Sequence, residues 1–92
     1  MHTSSEPLAT VSATLPADVA LHARPAGLLV KEVTRLGCAV EVVANGKRAD
    51  AKSILQVLAL GASGGTELVI EVSGDGAAEA AEHLAAFVGG LA

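Results

Sequence analysis

Six consecutive residues, Leu21-His22-Ala23-Arg24-Pro25-Ala26, bring an imidazole, a guanidinium and a proline to one corner of the chain. From Arg24 onward the apolar residues recur with helical period, so His22 falls at the N-cap of a helix or one residue before it. The first amides of a helix have no acceptor within it, and the helix dipole adds partial positive charge at that end. Together they form an anion site. Arg24 contributes a permanently charged, forked donor that matches phosphate oxygens. Pro25 lacks an N–H that the first turn could not have used, and it should hold the amides of Ala23 and Arg24 in place. An imidazole keeps a neutral, nucleophilic nitrogen available near neutral pH. A phosphoryl group on that nitrogen would lie against the helix amides and Arg24. Such helix-end stabilisation is worth ~0.3–1 kcal/mol, and up to ~2 when partly buried. That is weak enough for a group that must later leave. The plainer alternative is a polar helix cap beside a surface arginine, and the residue types alone do not choose between the two.

The surrounding pattern predicts the elements that place this corner. Residues 8–15 alternate, with Ala9, Val11, Ala13 and Leu15 on one face, and read as a strand stopped by Pro16. Residues 16–21 form the loop to His22. The helix that follows carries Ala26, Leu29, Val30, Val33 and Leu36 as one stripe, and Gly37 supplies a left-handed end. Residues 39–44 read as a strand, and Asn45-Gly46 is a hairpin turn that needs positive φ at both positions. A return strand over 47–50 comes next, then a short helix over 53–60 closed by Gly61. Residues 66–73 form a strand with Leu68, Ile70 and Val72 inward and Glu67 and Glu71 outward. The last helix spans 77–88, with Ala77, Ala81, Leu84 and Val88 along one side and acids crowded at its N-terminal end. The order β-α-β-β-α-β-α predicts an α+β fold, with a four-stranded, mainly antiparallel sheet covered on one face by three helices. Residues 1–7 read as a flexible tail, and residues 8–92 as a single domain.

The short helix carries a second signal. Ser53-Ile54-Leu55-Gln56 has the form of a capping box, with Ser53 at the N-cap. Ile54, Leu55, Val57, Leu58 and Leu60 are all apolar on an element of about two turns. One stripe can face the core, with Val57 and Leu60 sharing it with part of Ile54 or Leu58. Some of the rest must be exposed, and an exposed apolar patch reads as a protein docking site. The alternative is that a core poor in aromatics needs every one of them.

Composition removes other classes. The 92 residues are 51% apolar and 17% charged, an ordinary globular balance, but hold one Phe and neither Tyr nor Trp. Aromatic platforms for stacking bases are therefore lacking, and a net charge of −4 repels phosphate backbones. Nucleic acid is not an expected partner. No signal peptide and no membrane-spanning run is visible. The single Cys38 allows no internal disulfide and reads as a small apolar residue at a strand start. A cytoplasmic protein is expected. His2, His22 and His83 have no metal-ligand spacing, so neither metal nor cofactor is expected. The glycines of 61–65 lack the Lys-Ser/Thr pair of a phosphate loop.

The hexapeptide resembles the active-site signature of the HPr family, the histidine-containing phosphocarriers of the phosphoenolpyruvate-dependent sugar phosphotransferase system. Asn45-Gly46-Lys47, Ala51-Lys52-Ser53-Ile54 and Leu60-Gly61 are similar to that family in order and spacing, from about Leu8 to Ala92. The resemblance implies an open-faced β-sandwich. It also implies that the chain is a relay intermediate without turnover of its own. His22 would be phosphorylated by enzyme I, on Nδ1, and would pass the group to IIA proteins or domains of sugar permeases. Arg24 would contact the phosphate, and Ala23, Gly27, Ile54, Leu55 and Leu58 would contact the partners. Gly27 lowers helix propensity there without touching the chemistry. In some relatives the serine equivalent to Ser53 is phosphorylated by a dedicated kinase, which weakens transfer at the histidine. The alternative function is an HPr-like regulatory binding module controlled at Ser53. A monomer is the simplest state for a protein that docks on two partners in turn.

Overall fold

Alternation along four strands fixes which side chains meet the helices. The computed structural model describes residues 8–91, so the expected tail and Ala92 lie outside the described residues. The strands are β1 (Leu8–Thr14), β2 (Ala39–Ala44), β3 (Lys47–Asp50) and β4 (Glu67–Ser73). They lie side by side in the order β1-β4-β2-β3, and all three pairings are antiparallel. The hairpin between β2 and β3 turns on Asn45 (φ 55°) and Gly46 (φ 73°), as the dipeptide predicts. Val40, Val42, Ala44, Ala49, Leu68, Ile70 and Val72 point inward and are buried. The helices α1 (Ala23–Leu36), α2 (Ile54–Ala59) and α3 (Ala77–Gly89) cover that face. The outward row sets Glu71 opposite Glu41 and Glu41 opposite Asp50, an unfavourable line of like charge. Arg48 relieves it by donating to Glu41 and Glu71, at 2.6 Å each.

Among the described residues the buried core is wholly aliphatic, with Phe87 packed half-buried against it. Its largest fully buried side chains are Leu, Ile and Val, including Leu15, Leu29, Val33, Val57, Leu60 and Leu84. The stripe expected on α1 is buried at Ala26, Leu29 and Val33, with Val30 and Leu36 half-buried at its margin. On β1, Ala13 is buried, while Ala9 and Val11 are half-buried because this is an edge strand. Strand β1 ends one residue before Leu15, yet Leu15 N–H still donates to Thr66 O at 3.0 Å.

The ends of α2 are tied on both sides. Ser53 is its N-cap, and Ser53 Oγ accepts from Gln56 N–H at 3.3 Å. The expected capping box is only half formed. Gln56 Oε1 accepts instead from Asp50 N–H at 2.8 Å, since Ser53 N–H already donates to Asp50 O. At the other end, Asn45 Nδ2 donates to Leu60 O at 3.0 Å and Gly61 O at 3.3 Å. Lys47 Nζ reaches Ala59 O at 3.3 Å. The hairpin tip thus satisfies carbonyls that a six-residue helix must leave free.

Helices α1 and α3 are joined through Glu32, whose carboxylate accepts from Arg35 on its own helix and lies in hydrogen-bond contact with His83 Nε2. These contacts, Arg35 first and His83 second, hold the Glu32 carboxyl at about 2, below its ordinary 4.5. A depressed carboxyl stabilises the fold above its unfolded value and loses that contribution as pH falls toward the folded one. Glu32→Gln should therefore flatten the pH dependence of stability between 4.5 and about 2, read by chemical denaturation at several pH values; an unchanged slope would refute it. At α2, Ser53→Ala should cost ~0.5–2 kcal/mol, whereas Ser53→Asp keeps an acceptor and should largely preserve the urea midpoint.

Candidate functional site

Burial and backbone bonding lead the chain tightly up to His22 and then release it. Val19 N–H donates to Pro16 O at 3.0 Å, closing a turn, and Val19 and Leu21 are both buried. Leu21 N–H donates to Ala62 O at 2.9 Å in the loop before β4. At the next residue the side chain is exposed. His22 takes extended dihedrals (φ −81°, ψ −173°) as the N-cap of α1, and its carbonyl accepts the first helical bond from Ala26 N–H at 2.9 Å.

The imidazole makes no capping bond to its own helix. His22 is the N-cap residue, but no side-chain capping bond occupies its ring. Among the described residues, neither Ala23 N–H nor Arg24 N–H has a backbone acceptor, and Pro25 has no N–H. Two oriented donors thus stand free beside an exposed ring, at the positive end of a 14-residue helix. Arg24 is exposed and takes part in none of the ion pairs among the described residues. This corner can receive an anion on backbone donors and a guanidinium without first breaking an internal bond.

Beside it, α1 packs on α2. A Cβ built on Gly27 would stand 3.6 Å from Ile54 Cδ1, which is ordinary contact, so Gly27 sits directly against α2. Leu55 is 77% exposed and Ile54 37%, while Leu58 is half-buried against the core. Val57 and Leu60 are buried, as two turns of so apolar a helix require. Ala23 is exposed on the same helix row as Gly27, four residues away. Leu28, which the sequence analysis did not single out, is 41% exposed. It lies on the row of Arg24 and Glu32 rather than of Gly27. Its place outside the apolar stripe of α1 was the signal that could have found it.

The remaining candidates lie apart from this corner or outside the described chain. His83 is engaged with Glu32 at the α1–α3 junction, and His2 lies outside the described residues. Among the described residues no group of three or more His, Cys, Asp or Glu side chains could hold a metal ion. Cys38 is half-buried, its Sγ 4.0 Å from Leu36 O and 3.9 Å from Asp75 O. The 61–65 loop serves as a strap for the segment leading to His22. Among the described residues no helix is long and apolar enough to cross a membrane.

Comparison with known proteins agrees with this fold. The family model for the PTS HPr component phosphorylation site matches residues 9–89. The phosphocarrier protein HPr of Mycoplasma capricolum is 37% identical over 77 residues, 84% of this chain and 86% of that protein. The HPr-like protein Crh of Bacillus subtilis is 43% identical over 68 residues, covering 74% of this chain and 80% of Crh. A crystal structure of HPr from Bacillus anthracis matches with a TM-score of 0.81 at 33% identity, over 88% of this chain and 96% of that one. The open four-stranded sheet under three helices and the matched length place the chain in the HPr family of the phosphotransferase system.

Proposed function

We propose that His22 accepts a phosphoryl group from phosphoenolpyruvate by way of enzyme I, and passes it to IIA proteins or IIA domains of sugar permeases. The observation that carries this reading is the exposed, uncapped imidazole beside the free N–H groups of Ala23 and Arg24. The ring nitrogen, Nδ1 by likeness to the family, gives its lone pair to phosphorus as the bond to the donor breaks. The leaving group on the donor keeps the electron pair of the broken bond, and the positive charge left on the exposed ring is relieved when its remaining N–H proton passes to solvent. The phosphoryl oxygens meet the two amides and the Arg24 guanidinium. Phosphoryl transfer asks mainly for position and electrostatic stabilisation, and the free amides and the Arg24 guanidinium are suited to both. The stabilisation is of the ~0.3–2 kcal/mol order of a helix end, so the group can move on. The chain is thus a relay intermediate that its partners phosphorylate and dephosphorylate, not a turnover catalyst, and it acts as a monomer in the cytoplasm.

Partners dock on Ala23, Gly27, Ile54, Leu55 and Leu58, an apolar surface beside the ring. Exposed apolar area of this kind on a small protein supports docking. Phosphorylation of Ser53 by a kinase would add ~1.5–2 negative charges at the start of the docking helix. A second reading, a regulatory binding module controlled at Ser53, is favoured by the similarity to Crh. The intact His22 and Arg24 favour the carrier.

Incubation with phosphoenolpyruvate and enzyme I should leave one acid-labile phosphate, absent from His22→Ala. No label with a competent enzyme I would turn the assignment to the regulatory module. Leu55→Lys should change the unfolding free energy by no more than ~0.5 kcal/mol and raise the KM for transfer about tenfold, the scale of an interface anchor. An unchanged KM would remove Leu55 from the docking surface.

A further inference from the structure

Gly64 has a φ outside the left-handed range, which does not by itself call for glycine, yet no room for a side chain. A Cβ built there overlaps the carbonyl oxygen of Ala17, and stands 2.6 Å from Ala17 C and 3.0 Å from Pro16 O. All three are backbone atoms, so no rotamer change relieves the clash. A normal separation of about 3.5 Å returns only if one of the two segments moves bodily.

Those segments are the two strands of a strap. Leu15 N–H donates to Thr66 O and Gly65 N–H to Leu15 O, both at 3.0 Å, while Leu21 N–H donates to Ala62 O at 2.9 Å. Gly64 lies between the outer ties, against the Pro16–Val19 turn. The last tie of the strap is one residue from His22. Displacing the turn therefore loads the Leu21–Ala62 bond, and with it the backbone dihedrals that set His22 ahead of the Ala23 and Arg24 amides.

We propose that Gly64 is a positioning residue for His22: its missing side chain lets the 62–66 loop seat the 16–21 loop closely enough to hold the ring at the helix end. The proposal rests on His22 being the phosphoryl acceptor. Gly64 lies outside the docking surface, so its effect falls on the transfer step and not on partner affinity.

The test compares Gly64→Ala with Val72→Ala, which cuts a fully buried side chain at the far end of β4. Gly64→Ala should lower kcat for transfer from enzyme I about 10²-fold, the cost of a misplacement near 1 Å, with KM unchanged. Its Leu21 amide should exchange with solvent faster than in the native chain. Val72→Ala should lose stability and keep kcat. An independent variant, with an ester in place of the Ala20–Leu21 amide, removes the donor to Ala62 without adding an atom and should lower kcat in the same way. Native kcat in Gly64→Ala or in the ester variant, or an equal fall in Val72→Ala, overturns the proposal. Those results differ from failure of the underlying reading, in which the native chain itself takes no phosphate on His22.

Discussion

Within one peptide unit the chain passes from a buried leucine, hydrogen-bonded to a neighbouring loop, to an exposed histidine. Leu21 cannot leave the core without exposing apolar area worth ~1.5–3 kcal/mol and breaking its bond to Ala62. His22 cannot turn inward without burying a polar ring that has no partner there. The two preferences, acting on adjacent residues, fix the direction in which α1 emerges and leave its first amides facing solvent. A place suited to an anion follows from that placement, because two N–H groups have no backbone acceptor among the described residues and the helix behind them supplies their field. The helix itself is anchored by Ala26, Leu29 and Val33, and the sheet below by its inward aliphatic rows.

Much of this was legible from residue order because the informative features are local. Strict alternation in β2 and β4, the Asn45-Gly46 turn and the switch to helical period after His22 each reflect a rule acting over a few residues. The exposure of Leu55 was legible for a different reason, since five apolar residues on a six-residue helix cannot all face one core. The contacts that were not legible join residues distant in sequence. Asn45 reads as a turn former, yet its amide also serves the carbonyls at the end of α2, 15 residues away. Glu32 and His83 meet across 51 residues. Gln56 has the right spacing for a capping box, but the competing donor from Asp50 comes from how β3 enters the helix. Gly64 looks like any loop glycine until the opposing carbonyls are in place.

The short helix α2 shows how little intrinsic helicity the fold needs. Six residues are far below the length at which a helix persists in water. It persists because Ser53 serves one end, Asn45 and Lys47 serve the other, and Val57 and Leu60 are held in the core. With both ends and one face committed, Ile54, Leu55 and Leu58 are presented in a fixed orientation beside Gly27. An apolar surface arranged in advance would lose less side-chain freedom if a partner docks there, as proposed.

The aliphatic interior has an optical consequence. Without a single indole or phenol, and with Phe87 as its one ring of the benzene type, the chain contributes almost no ultraviolet emission or absorbance near the wavelengths at which proteins are usually followed. Any tryptophan signal in a mixture would then belong to the other component. The molecule is a dark ligand, and a complex with a fluorescent protein can be followed without a label on either side.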